Sequence, residues 1–333
     1  MPLTLTAAED DSGRRLDRIL RKALKDLPLS AIHRLLRKGA VLIDGKASGP
    51  DYRVKAGQTI TIMESNAEIS LNNQSYPSRK EPKSQRPQEE LEILFEGEGL
   101  LILNKPVGIS VHGKDSLEDQ VISYLGPKLP HSLSFRPGPL HRLDKPSSGI
   151  TVFSTSLEGA RFFSNLLQKR KLKKQYLAIV EGTVKQAEVW WNELTRDHEK
   201  KKTFTIEAKS KSARSQTTSG QAKSALTRIT PMACNAGFTL ILAEIETGRT
   251  HQIRAQAAAH GHPLLGDKKY GSKTVHTQKN SNDPVFFLHA WQMEFPEELY
   301  ENKTTLPRKI KAPLPDLFQR KLDELFEPDS YKL

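Results

Sequence analysis

Apolar residues recur at two periods along this chain, and the change of period marks its elements. Leu16, Ile19, Leu20 and Leu24 fall on one helical face, and Ser30 stands where an N-cap opens a second helix through Ile32, Leu35 and Leu36. Gly39 ends that helix. Val41-Leu42-Ile43, the turn pair Asp44-Gly45 and the extended stretch Gln58–Met63 read as strands joined by tight turns. Two short helices on a small sheet are therefore expected over residues 1–63.

From Glu64 to Glu90 no apolar periodicity survives beyond Leu71, and Pro77, Pro82 and Pro87 sit among polar residues, which predicts a flexible polar linker over 64–90. A larger unit, 91–333, follows. Its strand candidates are Ile93–Phe95, Leu100–Leu103, Gly149–Phe153, Tyr176–Val180, Phe238–Ile245 and Phe286–His289. Helices are expected at Ser116–Leu125 and Leu157–Arg170. Lys200–Lys223 is basic and rich in Ser and Thr, and reads as a long hairpin or a partly disordered excursion. The sequence has no internal repeat.

Charge narrows the choice of partner. The chain carries 51 Lys and Arg against 39 Asp and Glu, a formal net charge of +12. Ten of those cations and only three acids lie between Arg14 and Lys46, so about a tenth of the chain holds more than half of the excess. The acids that would balance a solvated helix face are mostly missing, and the patch reads as a footprint for phosphates. Arg14, Arg15, Arg18, Arg34, Arg37 and Lys38 are its candidate RNA contacts. No apolar run approaches 18 residues, so no membrane span is expected. Met1 to Asp11 lacks a basic region followed by an apolar one, so the expected location is the cytoplasm.

The usual cofactor and metal signatures are missing. The single Cys234 excludes a disulfide framework and any cysteine-based zinc site. There is no phosphate loop, no dinucleotide glycine fingerprint and no H-E-x-x-H. His260-Gly261-His262 has no acidic partner at ligand spacing, and Ser147-Ser148-Gly149 is not a nucleophile elbow. What remains is a cluster of Arg, His and Asp in turn-like segments, His141-Arg142-Leu143-Asp144 and Thr247 to Arg254. An Arg of the second segment placed against Asp144 would keep its carboxylate ionised and oriented. A simple loop ion pair between Asp144 and Lys145 fits the composition equally well.

At these residues the sequence resembles the RluA-type pseudouridine synthases, which isomerise uridine in RNA from an N- to a C-glycoside. The HRLDxxTSG core of that family appears as His141 to Gly149, NKPxGxxVH as Asn104 to His112, and K-x-Y-x-A as Lys174 to Ala178. GRTHQIR…GHPxxGDxxYG appears as Gly248 to Gly271. The first module is similar to the small RNA-binding module named after ribosomal small-subunit protein four, through Arg15-Leu16-Asp17, Leu29-Ser30, Leu36 to Gly39 and Val41 to Lys46.

The resemblance implies an α+β protein. A small two-helix plus sheet RNA-binding domain would precede a catalytic domain on a bent, mixed, mostly antiparallel sheet with flanking helices. Asp144 would be the essential carboxylate, acting on a flipped-out uridine at the ribose or at the base, and Tyr176 would stack on the base. Arg254 would pair with Asp144, with Arg249 second in line. Arg142 would fill the gap left by the extruded nucleotide, and Leu264 and Leu265 would line the base pocket, with ordinary core as the alternative. Lys105 would meet a phosphate or stand as a surface lysine, two readings of equal weight. His141, with His112 and His251, would brace loops or contact phosphate. Isomerisation needs neither redox equivalent nor activated phosphate, so no cofactor and no metal are expected.

Structured RNA is the expected partner, large-subunit ribosomal RNA first and tRNA as the alternative, and the enzyme is expected to be a monomer. A non-catalytic RNA-binding or ribosome-assembly factor is a further alternative. A hydrolase using Ser147 or Ser148 with a histidine is another. The family's TSG stands here as Ser147-Ser148-Gly149, Pro146 replaces a common polar residue, and Gln256 occupies a position where many relatives place histidine.

Overall fold

Leu16, Ile19 and Leu20 are buried on one face of helix α1 (Leu16–Ala23), and Ile32, Leu35 and Leu36 on one face of α2 (Leu29–Arg37). Both faces pack against the inward residues of a four-stranded antiparallel sheet: β1 (Leu3–Thr6), β2 (Val41–Ile43), β3 (Lys46–Ala47) and β4 (Thr59–Ile62), in the order β1-β4-β2-β3. Period-2 burial of Val41, Ile43, Ile60 and Ile62 supplies the matching apolar surface. Arg21 and Lys22 lie in the last turn of α1, and Arg34 and Arg37 in that of α2, where the helix dipole favours cations. α2 opens on Pro28 rather than Ser30. The proline ring fixes an extended backbone just ahead of the first helical residue, and its missing N–H costs nothing there.

The computed structural model describes residues 2–24, 27–63, 90–126, 128, 132–197, 199, 202–206, 222–235, 237–274 and 285–331. The expected linker therefore lies outside the described residues apart from its last residue, as does 207–221 of the basic excursion.

The larger unit is a mixed sheet of eleven strands. In chain order these are β5 (Ile93–Gly97), β6 (Leu100–Lys105), β7 (Gly138–Pro139), β8 (Ser148–Ser154), β9 (Lys173–Glu181), β10 (Glu188–Asp197), β11 (Lys202–Ile206), β12 (Lys223–Asn235), β13 (Phe238–Ile245), β14 (Leu288–Glu294) and β15 (Lys309–Lys311). The path runs β11-β10-β12-β13-β9-β14-β8-β6-β5, with β15 on β14 and β7 on β8. Every pairing is antiparallel except β14 with β8. At that junction Gly149 has φ +104°, and a Cβ there would lie 2.3 Å from the Ala290 carbonyl oxygen, so only glycine lets the two strands meet.

Flanking helices are α3 (Leu117–Leu125), α4 (Leu157–Gln168), α5 (Gln252–Ala259) and α6 (Asp316–Leu325). Ser116 and Ser156 accept from the third backbone N–H beyond them and so start α3 and α4. The fold is thus α+β with a mixed, mostly antiparallel sheet. Three elements depart from the sequence expectation. The segment after Thr250 is not turn-like but opens α5, which is buried nearly all round and so shows no amphipathic stripe. β12 carries Pro231 at a register break, a place where a missing N–H is tolerated. The strand expected at Phe286–His289 runs instead over Leu288–Glu294, longer and shifted along the chain.

Candidate active site

The residues that carry chemistry converge on a cavity of about 540 Å³ between the β8, β9 and β13 strand ends and α5. Asp144 reaches it from the loop before β8. That loop is fixed on both sides: Ser147 N donates to the Asp144 carbonyl at 3.0 Å, and Gly108 N to the Lys145 carbonyl at 2.9 Å. The Asn104-Lys105-Pro106 segment therefore braces the loop that presents the carboxylate.

Arg254, the third residue of α5, meets Asp144 through Nη1 at 2.7 Å. Its other edge is a fork on Asp267, with Nε to Oδ2 at 2.6 Å and Nη2 to Oδ1 at 2.9 Å. The side chains are 7% (Arg254), 18% (Asp144) and 1% (Asp267) exposed, so Asp144 alone of the two carboxylates is open to the cavity. The guanidinium also lies over the Phe286 and Tyr270 rings, at 4.3 and 4.9 Å from their centroids. Burial works against its charge, but Asp267 and Asp144 more than offset that and hold it above its ordinary pKa.

His251 approaches the same carboxylate, with Nε2 3.6 Å from Asp144 Oδ1. Its backbone is left-handed, φ 54°, at the start of α5, a conformation that costs energy in a non-glycine residue and aims the ring at the site. Thr203 N donates to Tyr270 Oη at 2.8 Å, and that hydroxyl lies 2.9 Å from His251 Nδ1. The nearby Asp144 carboxylate can only accept and favours the ring proton on Nε2, with Nδ1 then free to accept from Tyr270. Burial pushes His251 down to about 4 despite the pull of Asp144, so the ring is neutral at physiological pH.

Tyr176 lines the cavity on the same β9 face as Lys174. Burial and the Asp144 charge both push its phenol up, so it remains protonated and can act as a donor or a stacking face, not as a base. Burial also pushes Lys174 down. Leu140, Leu143, Ile245, Ile253 and Leu288 make the apolar wall, and Arg142, Arg170 and Arg249 give the cavity a cationic lining suited to a phosphate-bearing ligand. His141 lines the cavity and accepts from Val152 N at 3.1 Å, which ties the Asp144 loop to β8. Burial pushes its pKa down to about 4.

Several expected contacts fall elsewhere. Arg249 does not reach Asp144; its Nε donates to the Ser224 carbonyl at 3.3 Å. Lys105 is fully buried and donates to the carbonyls of Pro106, Ile109 and Lys145 at 2.8, 2.9 and 3.3 Å, so it cannot meet a phosphate. Burial pushes its ammonium down to about 7 against the pull of Asp144, while three acceptors for three N–H groups favour the charged form. Leu264 and Leu265 are 0% and 1% exposed and belong to two core clusters, not to the cavity wall. In the small module Arg18, Arg34, Arg37 and Lys38 are exposed, whereas Arg14 turns inward to the Ser134 carbonyl and Arg15 pairs with Asp17.

Asp267 was not singled out from the sequence, although it lies in the matched Gly266-Asp267 pair; the signal available was an acid inside the motif. Gly266 has φ +87°, and a Cβ there would lie 2.2 Å from the Val285 carbonyl oxygen, so the tight turn that delivers Asp267 needs glycine. Ser148 does meet a histidine, His289 Nδ1 at 2.8 Å, but both residues are sealed, at 1% and 0% exposure. Their pair lies in the β8–β14 junction, out of reach of any substrate. His260 stacks on Trp190 at 4.9 Å and His262 donates to the Glu181 carbonyl. Among the described residues no group of three or more His, Cys, Asp or Glu could hold a metal ion, and no helix is long and apolar enough to cross a membrane.

Comparison with known proteins places this geometry in context. The RNA pseudouridylate synthase family model matches residues 99–259, and the S4 domain model matches residues 14–60. The chain is 32% identical to ribosomal large subunit pseudouridine synthase C of Pasteurella multocida, over 98% of this chain and 94% of that one. It is 33% identical to the protein of the same name from Haemophilus influenzae, over 95% of each. Among solved structures, human RNA pseudouridylate synthase domain containing 4 has the same fold, with a TM-score of 0.54 and 22% identity over 70% of this chain and 92% of that one.

Proposed function

Because the chain belongs to the RluA-type pseudouridine synthases and carries an N-terminal S4 domain, we propose that it converts uridine to pseudouridine in large-subunit ribosomal RNA, with Asp144 as the reacting carboxylate. The observation that carries this reading is the Asp144–Arg254–Asp267 arrangement, one open carboxylate backed by a cation that a sealed second carboxylate holds in place. The target class rests on relatives that match nearly the whole chain, both named for the ribosomal large subunit.

The reaction is an isomerisation. The glycosidic bond from the ribose to N1 breaks, the base turns, the ribose bonds to C5, the C5 hydrogen is lost and N1 takes a proton. Composition is unchanged. The chain's own residues support this: a carboxylate oriented by Arg254, a protonated phenol on Tyr176, and the His251 ring facing Asp144. Asp144 acts either at the ribose carbon or at the base, and the surroundings serve both routes. Extruding the nucleotide requires something to occupy its place, and the exposed Arg142 beside Asp144 is suited to that. The exposed arginines of the S4 domain supply backbone contacts that carry no sequence information of their own. We further read the protein as a cytoplasmic monomer of two functional units, 1–63 and 91–333.

The test is carbodiimide-based pseudouridine mapping of total RNA from cells with and without the gene. Loss of one or a few sites in large-subunit ribosomal RNA is the expected result. Loss confined to tRNA would overturn the target while keeping the reaction. No loss from either RNA, with purified protein also inert on transcripts, would overturn the reading in favour of a binding factor.

A further inference from the structure

Two acidic residues of the small module, Asp10 and Asp11, have no part in the chemistry above, and both cross to the larger unit. Asp11 is fully buried, which a carboxylate tolerates only where donors fill its oxygens. Its Oδ2 accepts from Ala8 N at 2.9 Å within the module and from Leu133 N at 3.0 Å across the join. Its Oδ1 accepts from Ser132 Oγ at 3.0 Å and from Ser134 Oγ.

Flanking contacts have the same matched polarity. Asp10 Oδ1 accepts from Leu157 N at 2.8 Å, one of the amides left open at the start of α4. Arg14 donates in return to the Ser134 carbonyl at 3.3 Å. Leu133 packs against the core of the small module. The receiving loop is also folded on itself, with Ser132 Oγ accepting from Ser134 N and Phe135 N at 3.3 and 3.0 Å. A buried carboxylate with every partner matched is specific to one docked arrangement, because any other dry contact would leave Asp11 and its donors buried and unpaired.

We propose that Asp11 is a positioning residue for the reaction: it locks the S4 module to the 132–135 loop, so that RNA held on the exposed arginines of α1 and α2 is presented to the Asp144 cavity in one orientation. This rests on the reading of the chain as an RNA pseudouridine synthase. A module joined by chain connectivity alone would offer its RNA contact at a lower effective concentration, whereas a docked one makes the second contact nearly intramolecular. The lock therefore acts on substrates long enough to span both units and is silent for those that fill the cavity alone.

The experiment uses the full-length protein with Asp11→Ala and, to leave the module's own fold untouched, the double variant Ser132→Ala/Ser134→Ala. Small-angle scattering without RNA reads the docking itself. Tritium release from C5-labelled uridine reads turnover on a long ribosomal RNA transcript and on a short stem-loop with the same target uridine. Both variants are expected to scatter as more extended particles and to raise KM for the long transcript about tenfold, with kcat and the stem-loop kinetics unchanged. Scattering curves and long-transcript KM equal to those of the unaltered protein would overturn the proposal, as would a loss of kcat without a change in KM. An unaltered protein that turned over no RNA would defeat the synthase reading, and the scattering curves would still decide whether Asp11 docks the module.

Discussion

Arg254 gives Asp144 one hydrogen bond, Nη1 to Oδ2 at 2.7 Å, and keeps its two others for Asp267. The asymmetry separates the roles of the two acids. Asp267 is sealed and fixes the guanidinium plane, while Asp144 is held at one oxygen and faces His251 and the cavity with the other. A carboxylate in a cavity lined by Arg142, Arg170 and Arg249 and destined for phosphate-rich RNA is thus held in one orientation as that RNA arrives.

Asp144→Asn retains an oxygen for Arg254 and loses the charge. Turnover in the tritium-release assay is expected to vanish while RNA affinity, measured by filter binding, stays within about threefold, since phosphate contacts dominate affinity. Appreciable turnover by this variant would remove Asp144 from its role.

Arg254→Met leaves Asp267 buried without its cation, and breaking such a pair costs about 3–5 kcal/mol. Urea unfolding is the measurement. Arg254→Lys keeps a charge but loses the fork, so it should be milder in stability and still lower kcat by about 100-fold. A fully active lysine variant would show that charge alone suffices at this position.

Stability should fall on the acid side for a defined reason. His141 must be neutral because its Nε2 accepts from Val152 N. His289 donates through Nε2 to the Ala312 carbonyl, and burial at the strand junction disfavours a proton on the Nδ1 that faces Ser148. Burial pushes each down to about 4 from the ordinary 6.5. Between those values the unfolded chain binds more protons than the folded one, so stability is complete above 6.5 and is lost as the pH falls toward 4. The loss is on the order of 2 kcal/mol per histidine, read from unfolding free energies at stepped pH. His289→Gln should flatten that slope, and an unchanged slope would refute the assignment.

Ser148→Ala removes a buried donor to His289 at the strand junction. It should cost about 1–3 kcal/mol of stability and spare turnover, and a fluorophosphonate should not label the protein. Stoichiometric labelling at Ser148 would revive the hydrolase reading.

Arg18, Arg34 and Arg37 are exposed on the two module helices. Replacing all three by alanine should weaken RNA binding at low salt and reduce the slope of log K against log salt by about 2–3. An unchanged slope would mean that this face does not meet RNA.

How far the sequence reaches depends on where each signal is written. The α+β class, the two small helices with their sheet, and the strands at Leu100–Lys105 and Phe238–Ile245 were legible because apolar residues cluster locally, on one face of each small helix and as a continuous run from Leu100 to Leu103 that is buried on both faces. The chemistry was legible because Asp144, Tyr176 and Arg254 sit in ordered motifs. α5 was not, since a helix buried on every side has no polar face to set its period, and it carries both Arg254 and the left-handed His251. Likewise Leu264, Leu265 and Lys105 look like pocket or phosphate residues in the linear motif, and only packing puts them in the core. The fork on Asp267 and the seating of Asp11 on Ser132 and Ser134 join residues 13 and more than 120 positions apart. Local period determined which elements form, and the ordered motifs singled out Asp144 as the carboxylate proposed to react. Tertiary structure alone decided that Asp267 holds the Arg254 guanidinium and how the small module meets the catalytic unit, because pairings between distant residues are fixed by the packing of the whole sheet and not by any neighbouring stretch of chain.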